Sequence, residues 1–306
     1  MLLLFACSKP EEPTAEPAPY EPAAWVMPDG ATPVPTLSPG SLAAAIGEAA
    51  ARVRSSGASP VLAAWDEAMA GADTCPMWFG DATDGYWLDT CTSAAGTTFS
   101  GYAALVAWDA ASEGTGLIRD GRSIAGVASV TSADGTRLDV GGAARVVTFT
   151  PEGVAPGEPA WYGWWQSVVD GSFAYDGPAG EGTWLADGET PALSAAAYHA
   201  PAHDLRYLAV EGSLPATGDA SAVVFDGLVV MNEALEPDCR EAAGVVSVRD
   251  ADGVWYDVVF DGPAAAGAPV DLAACDGCGA AWLRGEPAGE VCPDLSPLLA
   301  WETTPW

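Results

Sequence analysis

Eleven Asp-Gly dipeptides punctuate the chain, and two of them, Asp134-Gly135 and Asp252-Gly253, each stand between two strand-like runs. Asp-Gly supplies the positive φ that tight hairpin turns require, so strands on either side of such a pair are neighbours and run antiparallel. Thr136-Arg137-Leu138-Asp139-Val140 alternates as a half-buried strand does, and Val254 to Phe260 and Asp204 to Val210 read the same way. No helical periodicity lies between these runs, which argues against βαβ units. The Asp-Gly spacing is irregular, so the chain has no propeller or solenoid repeat. The predicted fold is mainly β: an antiparallel meander, sandwich or partly closed barrel.

A short helical pair precedes the strands, over residues 41–72. Ser41 can cap a helix in which Leu42, Ile46, Ala49 and Val53 recur at helical spacing. Ser59-Pro60 opens a second helix, with Pro60 at the favoured first position. Leu62, Trp65 and Met69 make its apolar stripe, and Asp66 and Glu67 fall on the polar side. The natural arrangement is an αα-hairpin docked on the sheet, with the β-domain proper over residues 73–306.

Charge narrows the partners. Eleven Lys and Arg stand against 42 Asp and Glu, a net charge of −31, and Lys9 is the sole lysine. Nucleic-acid binding needs clustered cations to displace counterions, so that class is excluded. An anionic lipid surface repels such a domain.

Six cysteines follow residue 70: Cys75, Cys91, Cys239, Cys275, Cys278 and Cys292. An even number suits three disulfides in an oxidising compartment. Cys75 and Cys91 are close together and far from the rest, so they pair. Cys278 and Cys292 bracket a hairpin around Gly285-Glu286-Pro287 that brings them opposite each other, which leaves Cys239 for Cys275. Each bridge contributes about 2–4 kcal/mol. The competing chemistry is a zinc site: Cys275-Asp-Gly-Cys278 is a C-x2-C knuckle that Cys239 and Cys292 could complete as four thiolates.

Other clusters are weaker. His199, His203 and Asp204 place two imidazoles and a carboxylate together, but Pro201 rules out a shared helix face, leaving a loop. Trp161-Tyr162-Gly163-Trp164-Trp165 is dense in aromatics, which serve either as a stacking platform for sugars or as cover for a sheet face. Asp81, Asp84, Asp89, Asp250 and Asp252 sit near turns in no calcium-loop spacing, and turn chemistry accounts for them. No nucleophile elbow, P-loop, H-E-x-x-H or dinucleotide fingerprint occurs, so no catalytic residue and no cofactor is assigned.

Leu2-Leu3-Leu4-Phe5-Ala6 is an apolar run ending at a small residue before Cys7. This resembles the lipobox of bacterial lipoproteins, and the resemblance implies that Cys7 carries a diacylglyceryl group and palmitate as the first mature residue. The apolar run is short and lacks a basic segment ahead of it, which reads as a truncated signal over residues 1–7 with its start upstream. Ser8 stands where many such proteins carry an aspartate for inner-membrane retention, so the resemblance implies the outer membrane. Residues 8–40 hold nine prolines and no periodic apolar pattern, which reads as a disordered tether of up to roughly 100 Å. Taken together, these features predict a lipid-anchored cell-envelope protein with a non-enzymatic binding or scaffolding role. Its partners are the membrane through the lipid, and an envelope protein or glycan. The alternatives are a carbohydrate-binding or carbohydrate-cleaving domain and a zinc-binding domain with four cysteine ligands.

Overall fold

The computed structural model describes residues 35–53, 58–81, 83–112, 117–151, 162–177, 180–185, 193–200, 205–232, 242–262 and 276–299. Two helices come first, α1 (Pro39–Arg52) and α2 (Ala58–Met69). Eight strands make the N-terminal half: β1 (Phe79–Gly80), β2 (Asp84–Leu88), β3 (Cys91–Thr92), β4 (Thr98–Ser112), β5 (Leu117–Thr131), β6 (Arg137–Pro151), β7 (Tyr162–Gly177) and β8 (Gly180–Leu185). The C-terminal half holds β9 (Leu193–Ala200), β10 (Leu205–Thr217), β11 (Ala220–Asn232), β12 (Ala242–Asp250), β13 (Trp255–Asp261), β14 (Gly279–Leu283), β15 (Glu286–Val291) and the short α3 (Ser296–Leu299).

The fold is mainly β, as expected, and its topology is a meander. Every pairing among the described residues is antiparallel, and the strands follow one another along the path β1-β2-β4-β5-β6-β7-β9-β10-β11-β12-β13-β14-β15 without closing into a barrel. Strands β3 and β8 sit off this path, on β4 and β7. Two sheets, one in each half, meet edge to edge where β7 pairs β9.

Each half has its own core under its own helix. On α2, Val61, Leu62, Trp65 and Ala68 are buried against Trp87, Phe99, Ile124, Val130, Leu138 and Phe173. On α1, Leu42, Ile46, Ala49 and Val53 are buried against Leu208, Val223, Phe225, Val246 and Tyr256. Both apolar stripes are the ones legible in the sequence, yet the helices do not form an αα-hairpin with a common core: α1 and α2 serve different halves. A stripe specifies that a face is buried but not against what.

Both helix starts also differ from expectation. Ser38, not Ser41, is the N-cap of α1: it has extended backbone, and its hydroxyl accepts from the Ser41 amide at 3.2 Å. Pro39 takes the first turn, where a missing N–H costs nothing. The last part of the proline-rich segment is therefore docked. The Tyr256 hydroxyl accepts from the amides of Thr36 (2.9 Å) and Leu37 (3.2 Å). Helix α2 opens at Ala58, which leaves Pro60 within its first turn.

One hairpin occurs twice. Gly126–Val140 and Gly244–Val258 share the pattern Gly-Val-x-Ser-Val-x-x-Ala-Asp-Gly-x-x-x-Asp-Val without a gap. The registers coincide as well, Thr131 opposite Arg137 and Arg249 opposite Trp255. So do the turns: Ser132 N–H donates to Thr136 C=O at 2.8 Å and Asp250 N–H to Val254 C=O at 2.9 Å. Gly126 and Gly244 each lie where a Cβ would run into a carbonyl oxygen of the next strand, that of Tyr102 and of Gly227 respectively.

Both helices lie on the same side of the strand path. Ala144, in the core under α2, is opposite Val168, and Val168 is opposite Leu193 in the core under α1. Residues in register share a face, so the opposite face runs past both halves without a described helix on it.

Candidate functional site

On that face, which carries no helix among the described residues, the N-terminal half has an apolar band built by strand register. One row runs Phe79–Tyr86–Ala104–Ala125–Ala143, and the next Leu88–Tyr102–Val127–Gly141. Trp87, Phe99, Ala103 and Leu105 alternate with these residues and point into the core, which is why one strand can be fully buried on one side and apolar on the other. The rings form a ladder: Phe79 and Tyr86 stack with centroids 5.4 Å apart, and Tyr86 and Tyr102 lie 6.0 Å apart at a tilt.

Exposure sets this band apart. Among the residues whose side-chain burial is described, the exposed large hydrophobics are Phe79, Tyr86, Leu88, Tyr102, Val106 and Val127 on β1, β2, β4 and β5, and Met77, two residues ahead of β1. Val127 is 76% exposed. Contiguous apolar surface of this kind marks interaction sites, whereas scattered single residues need no explanation. A hydroxyl-rich border follows, with Ser100 and Ser129 in register with Asp139, and Thr92, Thr98 and Thr131 in register with Arg137. Arg137 pairs with Asp139 at 2.8 Å.

The band rests on a stapled edge. Cys75 and Cys91 are bonded, with Cα atoms 6.0 Å apart, and this closes the segment that carries β1 and β2. The Asp73 carboxylate accepts from the amides of Cys75 (2.9 Å) and Ala94 (2.8 Å), and these bonds hold its pKa below the usual carboxylate range. Asp81 is held down in the same sense by the Thr83 hydroxyl, then by the Thr83 and Asp84 amides. Asp134, in the first of the duplicated turns, is held down by the Ser132 hydroxyl and the Thr136 amide.

The other end of the same face has a second feature. Trp282 on β14 is opposite Asp257 on β13, and a cavity of about 530 Å³ there is lined by Val259, Asp261, Asp276, Ala280, Trp282 and Glu290 among others. The Cys278–Cys292 disulfide closes this edge hairpin, with Cα atoms 4.0 Å apart. Its turn is Arg284-Gly285, both at positive φ (53° and 82°), rather than Gly285-Glu286-Pro287. On the helix side, a second hollow, of about 440 Å³, lies between α2 and the sheet beside the Asp66–Arg122 ion pair.

The structure bears out the two disulfides Cys75–Cys91 and Cys278–Cys292, while Cys239 and Cys275 lie outside the described residues. Bonded to each other, Cys278 and Cys292 do not offer two thiolates, so the four-thiolate zinc arrangement is not formed. His199 is a strand residue on β9, opposite Tyr162 and Arg206, and not part of a loop. His203, Asp204, Cys7 and Trp161 lie outside the described residues. Tyr162, Trp164 and Trp165 are on β7, opposite His199, Ala197 and Ala196. The acidic residues near turns do turn chemistry: Asp81 caps Thr83 and Asp84, Asp89 accepts from Thr90, and Asp250 accepts from Asp252 and Val254.

The sequence reading missed the Phe79–Tyr86–Tyr102 ladder. Its signal was present in the alternation of Tyr86-Trp87-Leu88, apolar on both faces. The chain matches no protein family, no curated protein and no solved structure.

Proposed function

We propose that the chain is a non-enzymatic binding protein of the bacterial cell envelope, anchored by a lipid on Cys7, with the band around Tyr86, Tyr102 and Val127 as its binding surface. The observation that carries this is the gathering of the exposed Phe79, Tyr86, Leu88, Tyr102, Val106 and Val127 into one patch on one face. Such a patch costs solubility unless a partner covers it. The two disulfides support an oxidising compartment, and a net charge of −31 supports a domain held off an anionic membrane rather than lying on it. With Ser8 after the cysteine, the anchor belongs in the outer membrane.

The anchor is tested by growing the native host with alkyne-tagged palmitate. The full chain should take up the label and Cys7→Ala should not; label that persists in Cys7→Ala overturns the anchor. The surface is tested by sedimenting purified chain with isolated envelopes. Tyr86→Ser/Tyr102→Ser should fall to background, and wild-type recovery at an unchanged melting temperature would exclude the band.

A further inference from the structure

The edge hairpin β14–β15 brings three metal-ligating side chains to one face, and we propose that its disulfide is the closed form of a redox-gated site for a zinc-like divalent cation. Gly279 is opposite Val291 and Ala280 opposite Glu290, so the next step sets Cys278 opposite Cys292. Ala281 and Val291 are buried in the core under α1, and Ala280, Glu290 and Cys292, which alternate with them, are exposed on the other side. The Sγ atoms of Cys278 and Cys292 and a carboxylate oxygen of Glu290 lie within 4.8 Å of one another.

The surroundings suit a cation. The β13–β14 register, with Asp257 opposite Trp282 and Val259 opposite Ala280, carries on to set Asp261 opposite Cys278, and Asp261 lines the same 530 Å³ hollow. Asp276 is not counted as a ligand: its carboxylate accepts from the Cys278 amide at 2.9 Å and so fixes the backbone beside the sulfur. Beyond Arg249 the sequence has a single basic residue, Arg284. It sits in the turn at the far end of the hairpin, six residues from Cys278, roughly 20 Å along a strand.

The sulfurs select the metal. Two thiolates favour zinc and softer ions over calcium or magnesium. Three protein ligands leave the fourth tetrahedral position to water. At a Zn–S distance of about 2.3 Å, a tetrahedral ion holds two sulfurs about 3.8 Å apart, so the opened pair accepts it with little movement of either strand.

Access decides which bridge opens. Cys292 is exposed and Cys278 half-buried, whereas Cys75 is buried and Cys91 half-buried. A thiolate of a dithiol reductant attacks Cys292 Sγ, forming a mixed disulfide and expelling Cys278 as a thiolate. The reductant's second thiol, once deprotonated, attacks its own partner sulfur, closes a cyclic disulfide and releases Cys292 as a thiolate. Two electrons pass to the protein, and the dithiol's two protons go to the cysteines. The cation then displaces those protons to solvent.

Cobalt(II) titration of the full chain, followed by thiolate-to-cobalt absorption, tests this before and after treatment with dithiothreitol and its removal without oxygen. The oxidised chain should show no such band, and the reduced chain should bind one cobalt with it. Zinc should displace the cobalt and raise the melting temperature of the reduced chain but not of the oxidised one. Cys278→Ala/Cys292→Ala should lose the band, and Cys239→Ala/Cys275→Ala should keep it. Glu290→Gln retains both cysteines and alters an exposed group. It should weaken binding by about tenfold or more, since loss of even an outer partner of a ligand costs that much. No cobalt bound by the reduced chain overturns the proposal, as does a melting temperature that zinc leaves unmoved. A band that survives Cys278→Ala/Cys292→Ala, one lost in Cys239→Ala/Cys275→Ala, or parent affinity in Glu290→Gln overturns the assigned ligands.

Discussion

Thr36 donates its hydroxyl to the buried carboxylate of Asp250, 214 residues further along the chain, at 2.8 Å. The same carboxylate accepts from the amides of Asp252 (3.0 Å) and Val254 (2.8 Å), so one side chain closes the second duplicated turn and fastens the segment that leads into α1. Its counterpart in the first turn is Ser132, where Asp134 does the capping from an exposed position.

Asp250→Ala leaves buried donors unmet and should cost about 2–3 kcal/mol in urea unfolding. Asp134→Ala, at the exposed turn, should cost much less. Equal losses would contradict the unequal roles assigned to the two turns.

Gly126→Ala and Gly244→Ala should both destabilise by about 1–3 kcal/mol, because each new methyl meets the carbonyl of the adjoining strand. Gly135→Ala has open space around its Cβ, and only its φ of 97° opposes it. Thermal melts of the three variants would check the duplicated close approach.

Breaking the C-terminal staple with Cys278→Ala/Cys292→Ala should lower stability by about 2–4 kcal/mol. It should also loosen the hairpin that presents Trp282. Denaturant curves measure the first effect, and Trp282 amide exchange by NMR measures the second. A variant as stable as the parent would remove the staple from the energetics.

Acid should act through Asp73, Asp81 and Asp134, whose folded pKa values are held down by hydrogen bonds. A depressed carboxylate contributes stability above its unfolded pKa of about 3.9, and that stability is lost as pH falls through the lower folded value. The melting temperature should therefore hold from neutral pH to about 5 and fall below about 4. Asp73→Asn should be less stable at neutral pH and show a shallower acid fall. A steeper fall in that variant would contradict the sign.

Much of the architecture was legible locally. Asp134-Gly135 and Asp252-Gly253 mark hairpins because few other residues accept that backbone, and the spacing of Leu42, Ile46, Ala49 and Val53 marks a buried helix face. Non-local choices were not legible. Nothing in α1 or α2 specifies which half each covers. His199 reads locally as a loop residue because Pro201 follows it, yet pairing with β7 and β10 carries the strand through Ala200. The duplicated hairpin escaped because its copies are 118 residues apart and the Asp-Gly pairs around them are irregular. The candidate surface escaped because Phe79, Tyr86 and Tyr102 become neighbours only once β1, β2 and β4 are paired.

Site-specific photocross-linking in the envelope tests the binding face most directly. A photoreactive aromatic amino acid is placed at position 102 of the full-length chain, and in a second protein at position 44, exposed on α1. Irradiation should give a discrete adduct from position 102 and none from position 44. Equal adducts from both positions, or none from position 102, would contradict a binding role for the helix-free face.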